Sequence, residues 1–390
     1  MTEQKPYVPA ADFVRAVTVV SVVGVHATWY MAAGGQWLVS GAALALLHYS
    51  RESFMTLTGF VLTYSLFGRP VRWFSVLKKR YRLVLFPYLI WTAVYMLAFT
   101  PYRPVGAFAL RYGRNLLTGG GWFHLYYLLI TMQFYVMLPF FLRLMRIAQT
   151  RPRVVAWAAI LFEVALTTYD QYGLSHHPKG INAYTGVEVW SYAAYFILGG
   201  IGALYWPVLR AWLRQRLTLI ILVTAGAAFV MLAVFVLQVK IYGELWRADA
   251  VIQPLMVFWS LSVVLLLTAL GIRYEDVSTY AGRRWQPIKW IAHVSFGIYL
   301  IHPLFLQVWC NVVARLGWTQ PSYVLDGVTV VLLVVVCGMV SQLLSWTPQG
   351  AWLIGRGGVP PAKDGLGVWR GGRLGAMNWI WVRPRGKSPR

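Results

Sequence analysis

Long apolar segments, separated by short polar ones, dominate this chain from about residue 12 to residue 346. A transmembrane helix needs about 20 predominantly apolar residues. The second apolar segment exceeds one crossing and contains Arg51 and Glu52, so we predict a short interfacial helix over 38–49 and a span over 51–67. The pattern predicts an all-α integral membrane protein with about ten transmembrane helices in one bundle. The ten segments cover, approximately, residues 12–31, 38–67, 83–100, 122–145, 153–170, 187–206, 217–239, 251–272, 290–313 and 323–346.

The composition supports this class of protein. Apolar residues make up 58% of the chain and charged residues only 12%, against roughly 25% charged in a soluble domain. The formal net charge is +23, but the basic residues fall between apolar segments, which argues against a nucleic-acid partner and favours membrane lipids. Cys310 and Cys337 lie inside apolar segments. We therefore predict no metal site and no disulfide framework.

The distribution of Lys and Arg predicts the orientation in the membrane. Of the 35 basic residues, 27 lie on the side of the N-terminus and eight on the other side. Because basic residues accumulate on the cytoplasmic side, we predict that both termini are cytoplasmic. The chain divides into a cytoplasmic segment 1–11, a membrane domain 12–346 and a basic tail 347–390 that contains Gly, Pro and Trp. We expect this tail to lie on the membrane surface without catalytic importance.

Ionisable residues inside the spans are candidates for function because burying them in the bilayer is costly. Arg15 and His26 are eleven residues apart, so both leave the same face of the first helix, about 16 Å apart along its axis. Arg15 lies near the cytoplasm, where a guanidinium can hold phosphate, and His26 lies deeper. The pair suits a long, phosphate-headed donor such as coenzyme A. An interfacial arginine and a structural core histidine would fit the same spacing.

Further polar residues are expected at a similar depth. Glu52 begins its span close to the level of His26, and a carboxylate can orient an imidazole, although Arg51 could instead pair with Glu52. His302 lies twelve residues into its own span, which suggests a polar chamber shared with His26. Tyr299 shares a face with His302, and His124 begins a span at the outer surface. Each histidine could equally serve a structural hydrogen bond.

The segment 68–82 is the densest basic region, and we predict that it forms a cytoplasmic loop. Lys79, Arg80 and Arg82 could receive phosphate groups there. They could also simply mark the cytoplasmic side.

Five motifs in order resemble acyltransferase family 3, a family of membrane acyltransferases, and the resemblance covers about residues 10–346. The family's usual Ser-Gly-Phe is Thr58-Gly59-Phe60 here, which keeps the hydroxyl. The motifs are Arg15-x10-His26; Arg51-Glu-Ser-Phe-Met-Thr-Leu-Thr-Gly59-Phe60; Lys78-Lys79-Arg80-Tyr-Arg82 followed by Phe86-Pro87; Trp122-Phe-His124-Leu; and Ser295-Phe-Gly-Ile-Tyr-Leu-Ile-His302.

The resemblance implies a multi-pass protein of the bacterial plasma membrane. Such a protein takes an acyl group, commonly acetyl and in some members succinyl, from cytoplasmic acyl-CoA as co-substrate, with no permanently bound cofactor. The acceptor is typically a hydroxyl of an envelope polysaccharide or lipid-linked sugar.

By the same resemblance, His26 is catalytic, as general base or as an acyl-histidine. Glu52, Asp326 and His302 are its candidate partners, and Arg51, His124 and Tyr299 are candidate substrate-binding residues. Arg15, Lys79, Arg80 and Arg82 are expected to bind the phosphates of coenzyme A.

An exporter or flippase of a surface polysaccharide is the alternative function, because it would also be polytopic with charged residues in its core. The same-face pair of Arg15 and His26, together with the basic segment, favours the acyl-CoA enzyme.

Overall fold

The computed structural model describes residues 6–33, 36–69, 73–100, 104–173, 186–318 and 320–356, without the side chains of Lys79 and Trp246. Nearly all of these residues are helical, and no β-strand occurs among them. Two 3-10 turns, Val189–Tyr192 and Arg283–Trp285, precede helices. The helices are α1 (Pro9–Met31), α2 (Leu38–Leu47), α3 (Tyr49–Leu66), α4 (Trp73–Phe99), α5 (Val105–Thr118), α6 (Tyr126–Thr150), α7 (Pro152–Tyr172), α8 (Ala193–Leu204), α9 (Trp206–Gln215), α10 (Leu217–Tyr242), α11 (Leu245–Ala248), α12 (Pro254–Val277), α13 (Gln286–Arg315), α14 (Tyr323–Ser345) and α15 (Gly350–Leu353).

Seven helices of the described chain are long and apolar enough to cross a membrane, namely α1, α4, α6, α10, α12, α13 and α14. The segment of α8 and its preceding turn forms an eighth candidate with α9, although the two parts meet at an angle of 93°. α3 and α7 fall outside this set, since both mix apolar residues with polar ones, including Glu52 and Glu163. The all-α membrane class is confirmed. Seven or eight spans of the described chain meet this test of length and composition, and the number ten stays a prediction.

Helix boundaries differ from the predicted ones in informative places. The long second segment does divide, at His48, into α2 and α3. The basic segment predicted as a loop is mostly helical, because α4 begins at Trp73 and carries Arg80 and Arg82 on its first turns. His124 lies in a turn before α6 rather than on the helix. The short helices α5 and α9 have only 14 and 10 residues, fewer than one crossing needs, and the apolar segments did not predict them.

α1 lies among α3, α12, α13 and α14, which places its polar face in the interior. α3 and α8 cross at very short distance. A Cβ atom on Gly59 would lie 2.1 Å from the Phe196 carbonyl oxygen, and one on Gly199 would lie 2.0 Å from the Thr56 carbonyl oxygen. Small residues allow such approach of helices in membranes. The glycine of Thr58-Gly59-Phe60 is therefore required by the packing of α3 on α8.

Candidate functional site

Three histidine rings from three separate segments form a cluster inside the protein. The ring of His26, on α1, stacks on that of His302, on α13, with centroids 5.3 Å apart and planes 26° apart. The ring of His124 lies 5.7 Å from that of His302. Phe123 packs against His26 at 4.6 Å. We call His26, His124 and His302 the histidine cluster.

Hydrogen bonding defines the tautomer of one of these rings. Nδ1 of His302 lies 3.0 Å from the Ile298 carbonyl oxygen. A carbonyl only accepts, so Nδ1 carries the proton and Nε2 keeps a lone pair. Nε2 of His302 and both ring nitrogens of His124 are buried without a partner among the described residues. His302 is fully buried and His124 nearly so, whereas His26 is partly exposed. His26 is thus the most accessible ring of the cluster.

Tyr299 joins the histidine cluster to a cavity. Its hydroxyl donates a hydrogen bond to the His124 carbonyl oxygen, and its ring lies 5.1 Å from the His124 ring and 6.3 Å from the His302 ring. The same side chain lines a cavity of about 110 Å³. Ser295, one helical turn away on α13, lines it as well. One residue therefore contacts both the histidines and the cavity.

Three arginines line this cavity, which we call the arginine cavity: Arg15 of α1, Arg80 of α4 and Arg356. Arg80 is only 4% exposed, and its guanidinium lies 5.8 Å from the centre of the Tyr135 ring. Arg15 lies 3.4 Å from Asp12. In the part of the chain that the structure describes, no other carboxylate forms an ion pair with Arg15 or Arg356. The cavity is therefore positively charged and suited to an anion.

Asp12 fixes Arg15 at the end of α1. Its carboxylate accepts hydrogen bonds from Tyr7 and, at 2.7 Å, from Tyr280. The carboxylate is thereby shared between the arginine and two hydroxyl groups, and the N-terminal end of α1 is tied to the segment before α13. This arrangement orients Arg15 but leaves most of its donors available for a ligand.

A family model described as an acyltransferase domain, that of acyltransferase family 3, matches residues 8–346. The chain belongs to this family. No curated protein and no solved structure matches it. The matched range contains every residue of the histidine cluster and two of the three arginines. The predicted family membership is confirmed, and the protein is a membrane acyltransferase.

The acyltransferase holds its candidate carboxylates away from His26. Arg51 donates two hydrogen bonds to Glu52, at 3.0 and 3.2 Å, and a third at 3.2 Å to the Tyr126 hydroxyl. Asp326 accepts a hydrogen bond of 2.9 Å from Thr28. Across the described residues, neither Glu52 nor Asp326 forms a hydrogen bond with His26. The rings of Phe123 and His302 are the ones that pack against His26.

Arg51 and Glu52 belong to a second polar group of the acyltransferase. The Arg51 guanidinium lies 4.8 Å from the centre of the Tyr192 ring. Nearby Glu163 is fully buried and accepts a hydrogen bond of 3.1 Å from the Ala194 backbone. The sequence offered no role for Glu163, and its observed contact joins α7 to the start of α8.

Two further residues, Lys79 and Arg82, were predicted to bind the phosphates. Arg82 is exposed on α4, and the side chain of Lys79 lies outside the described part of the acyltransferase. Sequence reasoning missed Arg356, because it assigned the whole tail to the membrane surface. The only available signal was the apolar sequence around Trp352, which differs from the basic and Gly-rich remainder of the tail.

No group of three or more metal-binding side chains in the described ranges is arranged to hold a metal ion.

Proposed function

We propose that this acyltransferase moves an acetyl group from cytoplasmic acyl-CoA to a hydroxyl of an envelope polysaccharide or lipid-linked sugar. One observation carries the proposal: Tyr299 connects a cavity lined by arginines with a cluster of histidines. Guanidinium groups bind phosphate, of which coenzyme A has several, and an imidazole can act as base towards a hydroxyl. Anion binding and proton transfer are the two tasks that this reaction requires.

The proposed topology has ten crossings with both termini in the cytoplasm of a bacterial cell. Adding α3, α7 and the bent pair of α8 and α9 to the seven apolar helices gives ten. The excess of 27 basic residues over eight supports the cytoplasmic location of the termini. In that orientation the Arg15 end of α1 lies near the cytoplasm, and His26 lies towards the outer half of the membrane.

The donor would bind with its phosphates on Arg15 and Arg80. Lys79 and the exposed Arg82, on the same helix as Arg80, would attract the anion as it approaches from the cytoplasm. The thioester would then extend past Ser295 and Tyr299 towards the histidine cluster. This assignment rests on the positive charge of the cavity. Three arginines line it, and the Asp12 carboxylate lies beside Arg15.

In the proposed reaction His26 takes the proton of the acceptor hydroxyl as the oxygen attacks the thioester carbonyl. The carbon–oxygen bond forms, the carbon–sulfur bond breaks, and the leaving thiolate takes the proton back from the imidazolium. His302, whose Nε2 keeps a lone pair, would accept a hydrogen bond from the second nitrogen of His26 and so stabilise its charged form. A covalent acyl-histidine is the variant that serves an acceptor on the outer face.

The other predicted residues receive supporting roles in this proposal. Asp326, through Thr28, would hold α14 against α1 and so position His26. Glu52 would hold Arg51 in place, and Arg51, His124 and Tyr299 would contact the acceptor or the acyl group.

Transfer of label from acetyl-CoA into envelope material tests the function. Membranes that contain the protein and membranes that lack it would be compared, with succinyl-CoA as a second donor. Label that depends on the protein supports the proposal and leads to the acceptor. Absence of transfer from both donors would overturn it. Loss of all surface glycan on deletion of the protein would favour the exporter.

Arg80→Gln should weaken CoA binding about tenfold, because charge-assisted hydrogen bonds in a buried site are strong. Arg82→Gln is the matched control on the same helix. Its exposed charge should contribute less than Arg80, and its effect should vanish at high salt, where surface charges are screened. Titration of purified protein with labelled CoA at about 50 mM salt, where the Debye length exceeds about 10 Å, and at about 500 mM salt, where it is well below about 10 Å, measures both effects. Equal losses for the two variants would contradict the assignment of Arg80 to the binding site.

A further inference from the structure

The chain after α14 folds back onto the membrane domain. The Trp91 indole donates a hydrogen bond of 2.8 Å to the Leu353 carbonyl oxygen, and the ring of Trp352 lies 4.3 Å from that of Phe86. Ile354 is only 1% exposed. These contacts attach residues 347–356, which we call the return segment, to α4, the helix that carries Arg80. The return segment is thus part of the packed protein.

The return segment ends at Arg356, beside Arg15 and Arg80 in the lining of the arginine cavity. Nη1 of Arg356 is buried and has no hydrogen-bond partner among the described residues. Burial, together with the positive charge of Arg15, lowers the pKa of Arg356 to about 9. At neutral pH the guanidinium remains charged, and no carboxylate of the described residues forms an ion pair with it.

A buried guanidinium in this position needs an anion. Removing a charge from water is costly unless a partner compensates it, and the positive charge of Arg15 also repels that of Arg356. Asp12 already serves Arg15, Tyr7 and Tyr280. A phosphate between the arginines would accept a hydrogen bond from Nη1 of Arg356 and relieve the repulsion. The planar fork of Arg356 suits two oxygens of one phosphate group.

We infer that Arg356 is a third ligand for the phosphates of acyl-CoA, and that the return segment completes the donor site. The inference rests on the proposed function for the identity of the donor. It goes beyond the family match, which ends at residue 346 and does not include this arginine. The return segment, which lies outside residues 8–346, therefore supplies part of the donor site.

Binding of labelled CoA to the full-length protein in phosphatidylcholine nanodiscs tests the inference. Arg356→Gln should weaken binding about tenfold, as expected for loss of a charge-assisted contact. Arg356→Lys should recover part of the loss because it keeps the charge but not the fork. Arg283→Gln, which removes an exposed positive charge from the turn before α13, should bind within twofold of the wild type.

Each outcome separates the inference from the proposed function. If the wild type binds CoA and folded Arg356→Gln binds it within twofold, the role of Arg356 is wrong while the proposed function stands. If the wild type binds no CoA, both the proposed donor, acyl-CoA, and the inference about Arg356 are wrong. Adding phosphatidylglycerol to the nanodiscs tests for a lipid phosphate. The inference is overturned if phosphatidylglycerol competes with CoA in the wild type but not in Arg356→Gln, while the two proteins bind CoA equally well without this lipid. Arg356 would then bind a lipid phosphate.

Discussion

Replacing His26 with glutamine should lower the rate of acyl transfer by about 10²- to 10⁴-fold, the usual contribution of a general base. Glutamine keeps a hydrogen-bonding group of similar size but cannot take up a proton. CoA binding should remain within twofold, because the arginine cavity lies at the other end of Tyr299 from His26. The measurement is transfer of label from acetyl-CoA at saturating donor, with purified variants compared at equal amounts of folded protein.

His48→Gln is the control for loss of a histidine outside the histidine cluster. Nδ1 of His48 lies 3.0 Å from the Asp249 carbonyl oxygen, and an amide N–H can donate to the same oxygen, so this variant should transfer at close to the wild-type rate. His302→Gln should show a smaller loss than His26→Gln, because His302 acts through His26. Transfer by His26→Gln within tenfold of the wild type would rule out both the general base and the acyl-histidine.

Gly59→Ala should strongly destabilise the protein, by about 3 kcal/mol or more, at the upper end of the cost of inserting atoms into a packed core. The added Cβ would lie 2.1 Å from the Phe196 carbonyl oxygen, which is a backbone atom and cannot rotate away. The separation of α3 and α8 must then increase. We expect a lower melting temperature and a smaller yield of monodisperse protein in mild detergent, measured by thermal unfolding and size-exclusion chromatography.

Gly226→Ala provides a matched comparison within a membrane helix. Gly226 lies on α10, and a Cβ there would meet no atom within 4 Å, so its stability should be unchanged or slightly improved. Gly199→Ala should resemble Gly59→Ala, because both glycines lie at the same crossing. The double variant with Gly59→Ala and Gly199→Ala should lose less stability than the sum of the two single variants, since the first substitution already separates the helices. Equal melting temperatures for Gly59→Ala and Gly226→Ala would show that α3 and α8 are not closely packed.

Local rules predicted the parts of this protein that depend on neighbouring residues in the chain. Hydrophobic length placed most helices, and helical spacing put Arg15 and His26 on one face of α1. The structure accordingly brings Arg15 to the arginine cavity and His26 to the histidine cluster. The break at His48 also followed from the chain alone, because a polar pair at residues 51–52 interrupts an apolar segment too long for one crossing.

Features that depend on distant segments were not predictable in the same way. Glu52 had two candidate partners, its neighbour Arg51 and the distant His26, and the structure pairs it with Arg51. Arg356 reaches the cavity only because Trp352 and Ile354 pack against the membrane domain. Composition alone could not distinguish that packing from a tail lying on the membrane. For a basic residue outside the apolar spans, the neighbouring sequence does not indicate which distant residues it will contact in the fold.

The small size of the arginine cavity has a kinetic consequence. About 110 Å³ is less than the roughly 150 Å³ cavity that admits benzene, so the arm and phosphates of the proposed donor, acyl-CoA, would require a widened form. Donor binding must then wait for an opening of the protein, and the apparent affinity falls with the fraction of open molecules. The observed association rate should level off as the concentration of acyl-CoA rises.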